Sequence, residues 1–298
     1  MTYHQPVLLK ESIEGLNIKP DGVYVDATFG GGGHTKEILR ILAGGKLIAF
    51  DQDEDAEVNL PQDERIIFVK HNFRFLKNFL RYYDFNAIDG LIADLGVSSH
   101  HFDTPRRGFS FRHNAKLDMR MNTQSAFSAK ELINTYSVDE LSRVFREYGE
   151  LKNARKLALT IHQKRQSAQI TETSDLINSI SGCIPRQGEN QYLAKVFQAI
   201  RIEVNKEIDH LKSLLVQATA LLNKKGRLVI ISYHSLEDRL VKNYFRYGNF
   251  EGKPVKDIYG NIQRSLDPVN RKVIIPSSDE IKINNRARSA RLRIAEKT

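Results

Sequence analysis

The 298-residue chain is 41% hydrophobic, enough to build a packed core, which excludes global disorder. Its 45 Lys and Arg outweigh 36 Asp and Glu, and the resulting net charge of +9 points toward a polyanionic partner. A single cysteine, Cys183, excludes an internal disulfide and a multi-cysteine zinc site.

The opening residues, Met1 to Pro6, lack the charged-then-apolar layout of a signal peptide, and no apolar run approaches the roughly 20 residues of a membrane span. A soluble, cytoplasmic protein is expected. Val23-Tyr24-Val25-Asp26 reads as a strand leading into four glycines, Gly30 to Gly33. Such a turn lets backbone approach a ligand closely, because no Cβ intervenes. Thr35 is placed to cap a helix carrying Ile38, Leu39 and Leu42, which Gly44-Gly45 ends. A second strand, Lys46 to Phe50, closes on Asp51, and a third is expected at Ile66 to Val69. Phe73, Leu76, Phe79 and Leu80 follow at helical spacing, and a fourth strand runs Ile88 to Leu95. Strand and helix patterns alternating in this way imply βαβ units and a parallel sheet, with a ligand crevice at the carboxyl ends of the strands.

The rhythm stops near Thr104. Ser128-Ala129-Lys130-Glu131 and Ser137-Val138-Asp139-Glu140 both fit the capping box that opens a helix. Leu141, Val144, Phe145 and Tyr148 form an apolar stripe, as do Ala154, Leu157, Ala158 and Ile161, and Leu193 to Leu215 reads as one long helix or two abutting ones. The α/β pattern resumes with a strand at Leu228 to Ser232, and Ala290 to Ala295 alternates as a final strand with the look of a half-exposed edge. The expected organisation is a discontinuous α/β domain, residues 1–104 and 205–298, interrupted by an all-helical insert, residues 105–204.

The glycine run is weak evidence alone. A dinucleotide fingerprint needs G-x-G-x-x-G, and Thr35 stands where the third Gly should be. Asp51, about 20 residues past the turn, occupies the place where a carboxylate holds the ribose of an adenosine-type cofactor. Asp94 ends the fourth strand and could meet cofactor or substrate; its plainer role would be capping the amides around Ser98 and Ser99. His234 and Ser235 end the fifth strand facing the same crevice, although Ser235 with Asp238 also reads as a simple helix cap. Cys183 reads as a small core residue, and the nine histidines show no H-E-x-x-H spacing, so no metal is expected in the chemistry. Arg106, Arg107 and Arg112, interleaved with Phe109 and Phe111, suit phosphate contact with base stacking on an unpaired strand. Arg286 and Arg288, with Arg291 and Arg293, form a second basic cluster, which reads equally as a solvated surface.

These motifs together resemble the ribosomal RNA small subunit methyltransferase H (MraW) family. The resemblance rests on His4 to Leu9, Asp26 to His34, Asp94 to Ser99, Arg107 to Phe111, Leu117 to Met121, Phe197 to Arg201, Ser232 to Arg239 and Arg286 to Ser289. It implies a Rossmann-like class I methyltransferase sheet interrupted by a helical domain; that insert and the Arg106 to Arg112 loop are the expected grips on the RNA. The implied cofactor is S-adenosyl-L-methionine, and the implied substrate is the N4 amine of a cytidine in the decoding region of 16S rRNA within the small ribosomal subunit. Cofactor contacts carry over to Gly32, Gly33, His34, Asp51, Phe73 and Asp94. A further contact, usually Gln in a Ser-Ser-Pro-Gln run, falls on His101 in Ser98-Ser99-His100-His101. The oligomeric state, monomer or homodimer, is left open.

Methylation of an exocyclic amine needs no covalent enzyme intermediate, which fits a chain with one unremarkable cysteine, whereas attack at cytosine C5 would want an activated thiol. Some group must take a proton from the amine, and Asp94 and His234, with Ser235 behind them, are the candidates by position. The sequence admits three rivals. A DNA amine methyltransferase would usually show Asp/Asn/Ser-Pro-Pro-Tyr/Phe where Asp94-Leu95-Gly96-Val97 stands. A nicotinamide-dependent oxidoreductase is disfavoured by the missing third Gly, and a non-catalytic RNA binder is separated only by an activity assay.

Overall fold

In the computed structural model, which describes residues 6–96 and 107–298, the chain divides into two compact units, Met1–Gly96 with Asp209–Thr298, and Val97–Ile208. The expected insert was 105–204.

The first unit is built on a seven-stranded sheet. Its strands are β1 (Val23–Asp26), β2 (Lys46–Phe50), β3 (Ile66–Val69), β4 (Ile88–Asp94), β5 (Leu222–Ser232), β6 (Leu266–Pro268) and β7 (Arg291–Lys297), in the order β3-β2-β1-β4-β5-β7-β6. The first five pair in parallel, and β7 lies antiparallel to both β5 and β6. This is the α/β sheet expected from the strand and helix rhythm. The final strand is correctly anticipated, but it is no edge: β7 is inserted between β5 and β6.

Alternation along the strands sends side chains to two cores. Val25, Leu91, Ala93, Leu228 and Ile230 meet α3 (Leu76–Tyr82), α9 (Glu207–Leu221) and α10 (Ser235–Tyr247) through Leu80, Leu215 and Phe245. Tyr24, Ile92, Val229, Ile231 and Leu292 face the other way, against Leu16 of α1 (Leu9–Leu16) and Ile38 of α2 (Gly33–Ile41). Near-continuous apolar strands are what a sheet covered on both faces requires.

The second unit is helical in its described part. α4 (Ala129–Thr135) and α5 (Val138–Glu147) open on the capping boxes of Ser128 with Glu131 and Ser137 with Glu140. They pack with α6 (Ala154–Arg165), α7 (Thr173–Ser179) and α8 (Glu189–Asn205) around Leu132, Phe145, Leu157, Ile161, Val196 and Ile200. The stretch Leu193 to Leu215 proves to be two helices, because Lys206 takes a left-handed backbone (φ 50°) between α8 and α9. Cys183 is buried in this core, with its sulfur 3.4 Å from Thr160 Oγ1.

Candidate active site

The strand order reverses between β1 and β4, which opens a crevice beyond their carboxyl ends. Asp26 and Asp94 stand at those two ends. The chain leaving β1 is tied across the gap, since Thr28 Oγ1 accepts the Asp94 amide at 2.7 Å. Asp26 is buried. Its Oδ1 accepts the Thr28 amide at 3.0 Å and its Oδ2 the Thr35 hydroxyl at 2.8 Å. Burial pushes its carboxyl up to about 6 against both hydrogen bonds, with Asp51 adding its charge. Thr35 is therefore not the cap of α2. The cap is Gly32, and the Thr35 hydroxyl instead anchors the helix to the strand carboxylate.

The glycine loop takes the conformation that only glycine adopts cheaply. Gly30 has φ 51° and Gly32 φ 71°, and a Cβ on Gly32 would lie 2.9 Å from Phe29 Cε2. Asp51, just past β2, holds the loop: its Oδ2 accepts the Gly30 amide and its Oδ1 the Asp53 amide, both at 2.8 Å. His34, one residue into α2, is buried with Nε2 3.2 Å from the Val7 carbonyl. Burial lowers its pKa to about 4 against that carbonyl, so the ring is neutral and donates from Nε2. Phe73 opens a short 3₁₀ turn after β3 and packs half-buried against the sheet.

Asp94 is displaced further than Asp26. Burial drives it up to about 7; the Tyr233 hydroxyl, donating to Oδ1 at 2.7 Å, opposes this, and Asp26 and Glu237 add to it. No described residue hydrogen-bonds its Oδ2.

His234 is used differently from the expectation. It is the N-cap of α10, and Nδ1 accepts the Glu237 amide at 3.4 Å. Nε2 then carries the proton, 3.2 Å from Glu237 Oε1 though outside hydrogen-bonding geometry. The ring is thus engaged as the cap of α10 through Nδ1. Ser235 is the exposed first residue of α10, and the capping role expected of it belongs to His234. Asp238 does not cap either; it pairs with Arg293 (Nε to Oδ1, 2.7 Å) and Arg291 (Nη1 to Oδ2, 3.1 Å) on β7.

The RNA candidates separate by exposure. Arg112, Arg286 and Arg288 are exposed, the last two on a 3₁₀ turn, Asn285–Ser289. Arg107 is half-buried and donates to the carbonyls of Arg120 and Met121 at 2.8 and 3.0 Å. Phe109 is corrected: it is 5% exposed and packs in the helical core, so its ring is not available for stacking on a base. His101 and Arg106 lie outside the described residues.

The model of the MraW methylase family matches residues 1–298. The chain belongs to the MraW methylase family. It is 55% identical over 297 residues to the "Ribosomal RNA small subunit methyltransferase H" of Bacteroides fragilis strain YCH46, covering 99% of this chain and 98% of that one. The protein of the same name from Christiangramia forsetii is 56% identical over 299 residues, covering 100% and 98%. Among solved structures, a rRNA methylase from Streptococcus thermophilus aligns over 100% of this chain and 98% of its own, at 14% identity and a TM-score of 0.42.

Two residues of the site escape a reading of the sequence. Tyr233 and Glu237 sit in the Ser232 to Arg239 motif, yet nothing in the string reveals that Tyr233 reaches Asp94 or that Glu237 Oε2 accepts the Tyr233 amide at 3.0 Å. The only available signal was the motif itself, an aromatic and two acids crowded at a strand end.

Proposed function

We propose that this MraW-family protein is an S-adenosyl-L-methionine-dependent methyltransferase of small-subunit ribosomal RNA and that its target is the exocyclic N4 amine of a cytidine in the decoding region of 16S rRNA. The observation that carries the reading is the group of three strand-end carboxylates, Asp26, Asp51 and Asp94, around a left-handed glycine loop at the switch point of the sheet. The names of the full-length relatives supply the substrate class. A ribosomal RNA substrate supports a cytoplasmic location for the protein.

The residues present suit the cofactor. Gly30 and Gly32 hold the left-handed backbone that turns the loop, and Asp51, which ties that loop through the Gly30 amide, is a carboxylate of the kind that holds a ribose hydroxyl. Phe73 offers an apolar ring and Asp94 an acceptor for cationic groups. The cofactor, when bound, supplies a methyl group on a positively charged sulfur.

The difficulty on the substrate side is that the amine lone pair is delocalised into the cytosine ring. Asp94 Oδ2, accepting an N–H of that amine, localises the pair and takes the proton that leaves. Its carboxyl near 7 is matched to such a transfer at neutral pH. His234, Glu237 and Tyr233 build the wall that fixes Asp94. Alignment of amine and methyl supplies much of the remaining acceleration. The target base must be unpaired or flipped out. Exposed Arg112, Arg286 and Arg288 are the described cations offered to the RNA backbone, and binding weakens with added salt.

The test is direct. The protein is incubated with labelled S-adenosylmethionine and small subunits from cells lacking the enzyme, and the label is located by mass spectrometry. Methyl on the N4 of a decoding-region cytidine is expected; its absence overturns the reading.

A further inference from the structure

We propose that Tyr233 is a positioning residue for the methyl transfer: its hydroxyl grips Asp94 Oδ1 and leaves Oδ2 as the carboxylate edge offered to the reacting groups. The inference rests on the reading of Asp94 given above and adds a residue to it.

Three contacts fix Tyr233. Its hydroxyl donates to Asp94 Oδ1 at 2.7 Å. Its amide donates to Glu237 Oε2 at 3.0 Å, and the Glu237 amide is itself taken by the His234 ring. Its ring lies against the chain leaving β4, where Gly96 has φ 110° and a Cβ there would come within 3.1 Å of Tyr233 Cδ2. A ring held at its edge, its backbone and its hydroxyl has little freedom, and it transmits that order to the carboxylate it touches. Asp94 is held through its backbone as well, because its amide donates to Thr28 Oγ1 at 2.7 Å.

The chemistry explains why such a grip matters. Asp94 serves only as an anion, whether it accepts an amine proton or binds a cationic group. The described charges acting on it are Asp26 from β1 and Glu237 from α10, both acidic, and Glu280 from α11 (Ser278–Ile283) acts on Tyr233. Burial also disfavours the charge. Among the described groups acting on Asp94, Tyr233 is the one that favours ionisation, by donating a hydrogen bond to the charged form. Tyr233 thus sets both the direction and the ionisation of the carboxylate.

The experiment compares wild-type protein with Tyr233→Phe, which keeps the ring against Gly96 and removes the hydroxyl. Aspartate labelled with carbon-13 at the side-chain carboxyl reports the titration of Asp94 in the ligand-free protein; the signal is assigned by its absence in Asp94→Asn. The wild-type midpoint is expected near 7. Tyr233→Phe should raise it by about one pH unit, a tenfold change in proton affinity. The acid limb of kcat/KM for rRNA methylation should move by the same amount, with the lost rate regained at higher pH. Site-specific replacement of Tyr233 by a fluorotyrosine, a stronger donor of the same shape, should move both midpoints downward, and this serves where Tyr233→Phe does not fold. An unchanged carboxyl midpoint overturns the proposal. So does a carboxyl midpoint that moves while the acid limb stays, because Tyr233 would then tune a group the reaction does not use. Failure of wild-type protein to methylate rRNA strikes the functional reading instead and leaves the carboxyl titration to judge Tyr233.

Discussion

Replacing Thr35 with Val tests whether the glycine loop is anchored through Asp26. Both partners are buried, at 0% and 2% exposure, and the Thr35 hydroxyl lies 2.8 Å from Asp26 Oδ2. Val keeps the branched shape and deletes the donor. At about pH 8 Asp26 is ionised, and losing a hydrogen bond to a charged acceptor costs about 1.5–3 kcal/mol. The variant can limit its loss by protonating Asp26. From a carboxyl near 6 that protonation costs about 2.7 kcal/mol at about pH 8, two pH units at about 1.36 each. A loss of about 2–3 kcal/mol is therefore expected at about pH 8, against about 1 kcal/mol at about pH 5.5, where Asp26 is mostly neutral already. The sign follows from linkage. A carboxyl raised from 3.8 to about 6 binds its proton more tightly folded than unfolded, so stability falls as pH rises between those values. Thr35→Val raises the carboxyl further and extends the fall to higher pH. The chain has no tryptophan, so urea unfolding is followed by circular dichroism at both pH values. Equal losses at the two pH values, or none, would refute the anchoring role.

Two further substitutions probe the site and the helical unit. Asp51→Ala removes the acceptor of the Gly30 and Asp53 amides together with the carboxylate assigned to the ribose. Two hydrogen bonds to a charged group at about 1.5 kcal/mol each correspond to about 100-fold weaker binding of S-adenosylhomocysteine by calorimetry, and a change under about threefold would remove Asp51 from the cofactor site. Phe109→Ala should lower the stability of the helical unit by about 3–5 kcal/mol, as core Phe truncations do, and Phe109→Leu should recover most of it. Unchanged thermal unfolding with lost RNA affinity would return Phe109 to the RNA surface.

Much of the sheet was legible because its signals are local. Lys46 to Phe50 and Ile66 to Val69 are short apolar runs between turn residues, and the structure bounds β2 and β3 at those residues. The capping boxes at Ser128 and Ser137 are equally local, three residues from donor to acceptor. What escaped depends on partners distant in sequence. Thr35 follows a glycine run and precedes an apolar stripe, as a cap does, yet its hydroxyl is claimed by Asp26 nine residues earlier. β7 alternates like an exposed edge, and it is interior only because three residues of β6 pair along its outer side. Arg291 and Arg293 look like free basic surface until β7 is laid beside β5 and Asp238 meets them. Tyr233 and Asp94 are 139 positions apart, and only the parallel pairing of β4 with β5 brings their ends together.

The carboxylates have a collective consequence. The protein carries a net +9, as suits an RNA partner, yet the carboxyl end of its sheet is acidic. Asp51 raises Asp26, and Asp26 and Glu237 raise Asp94, so these groups share a site in which full ionisation is costly. A ligand bearing a cationic sulfur and an ammonium relieves that repulsion and favours the ionised forms. Binding must then release protons, by the same linkage that makes the site resist ionisation when empty. With Asp94 titrating near 7, about half a proton is available from it at about pH 7, and affinity for S-adenosylmethionine should rise as pH goes from about 6 to about 8. Calorimetry in two buffers of different ionisation enthalpy counts the protons. S-adenosylhomocysteine, which lacks the sulfur charge, should release fewer, and Asp94→Asn should lose its share. An affinity flat with pH, with equal proton counts for the two ligands, would mean that the acids are too far from the cation to feel it, and the assignment of Asp94 to this crevice would fall with the result.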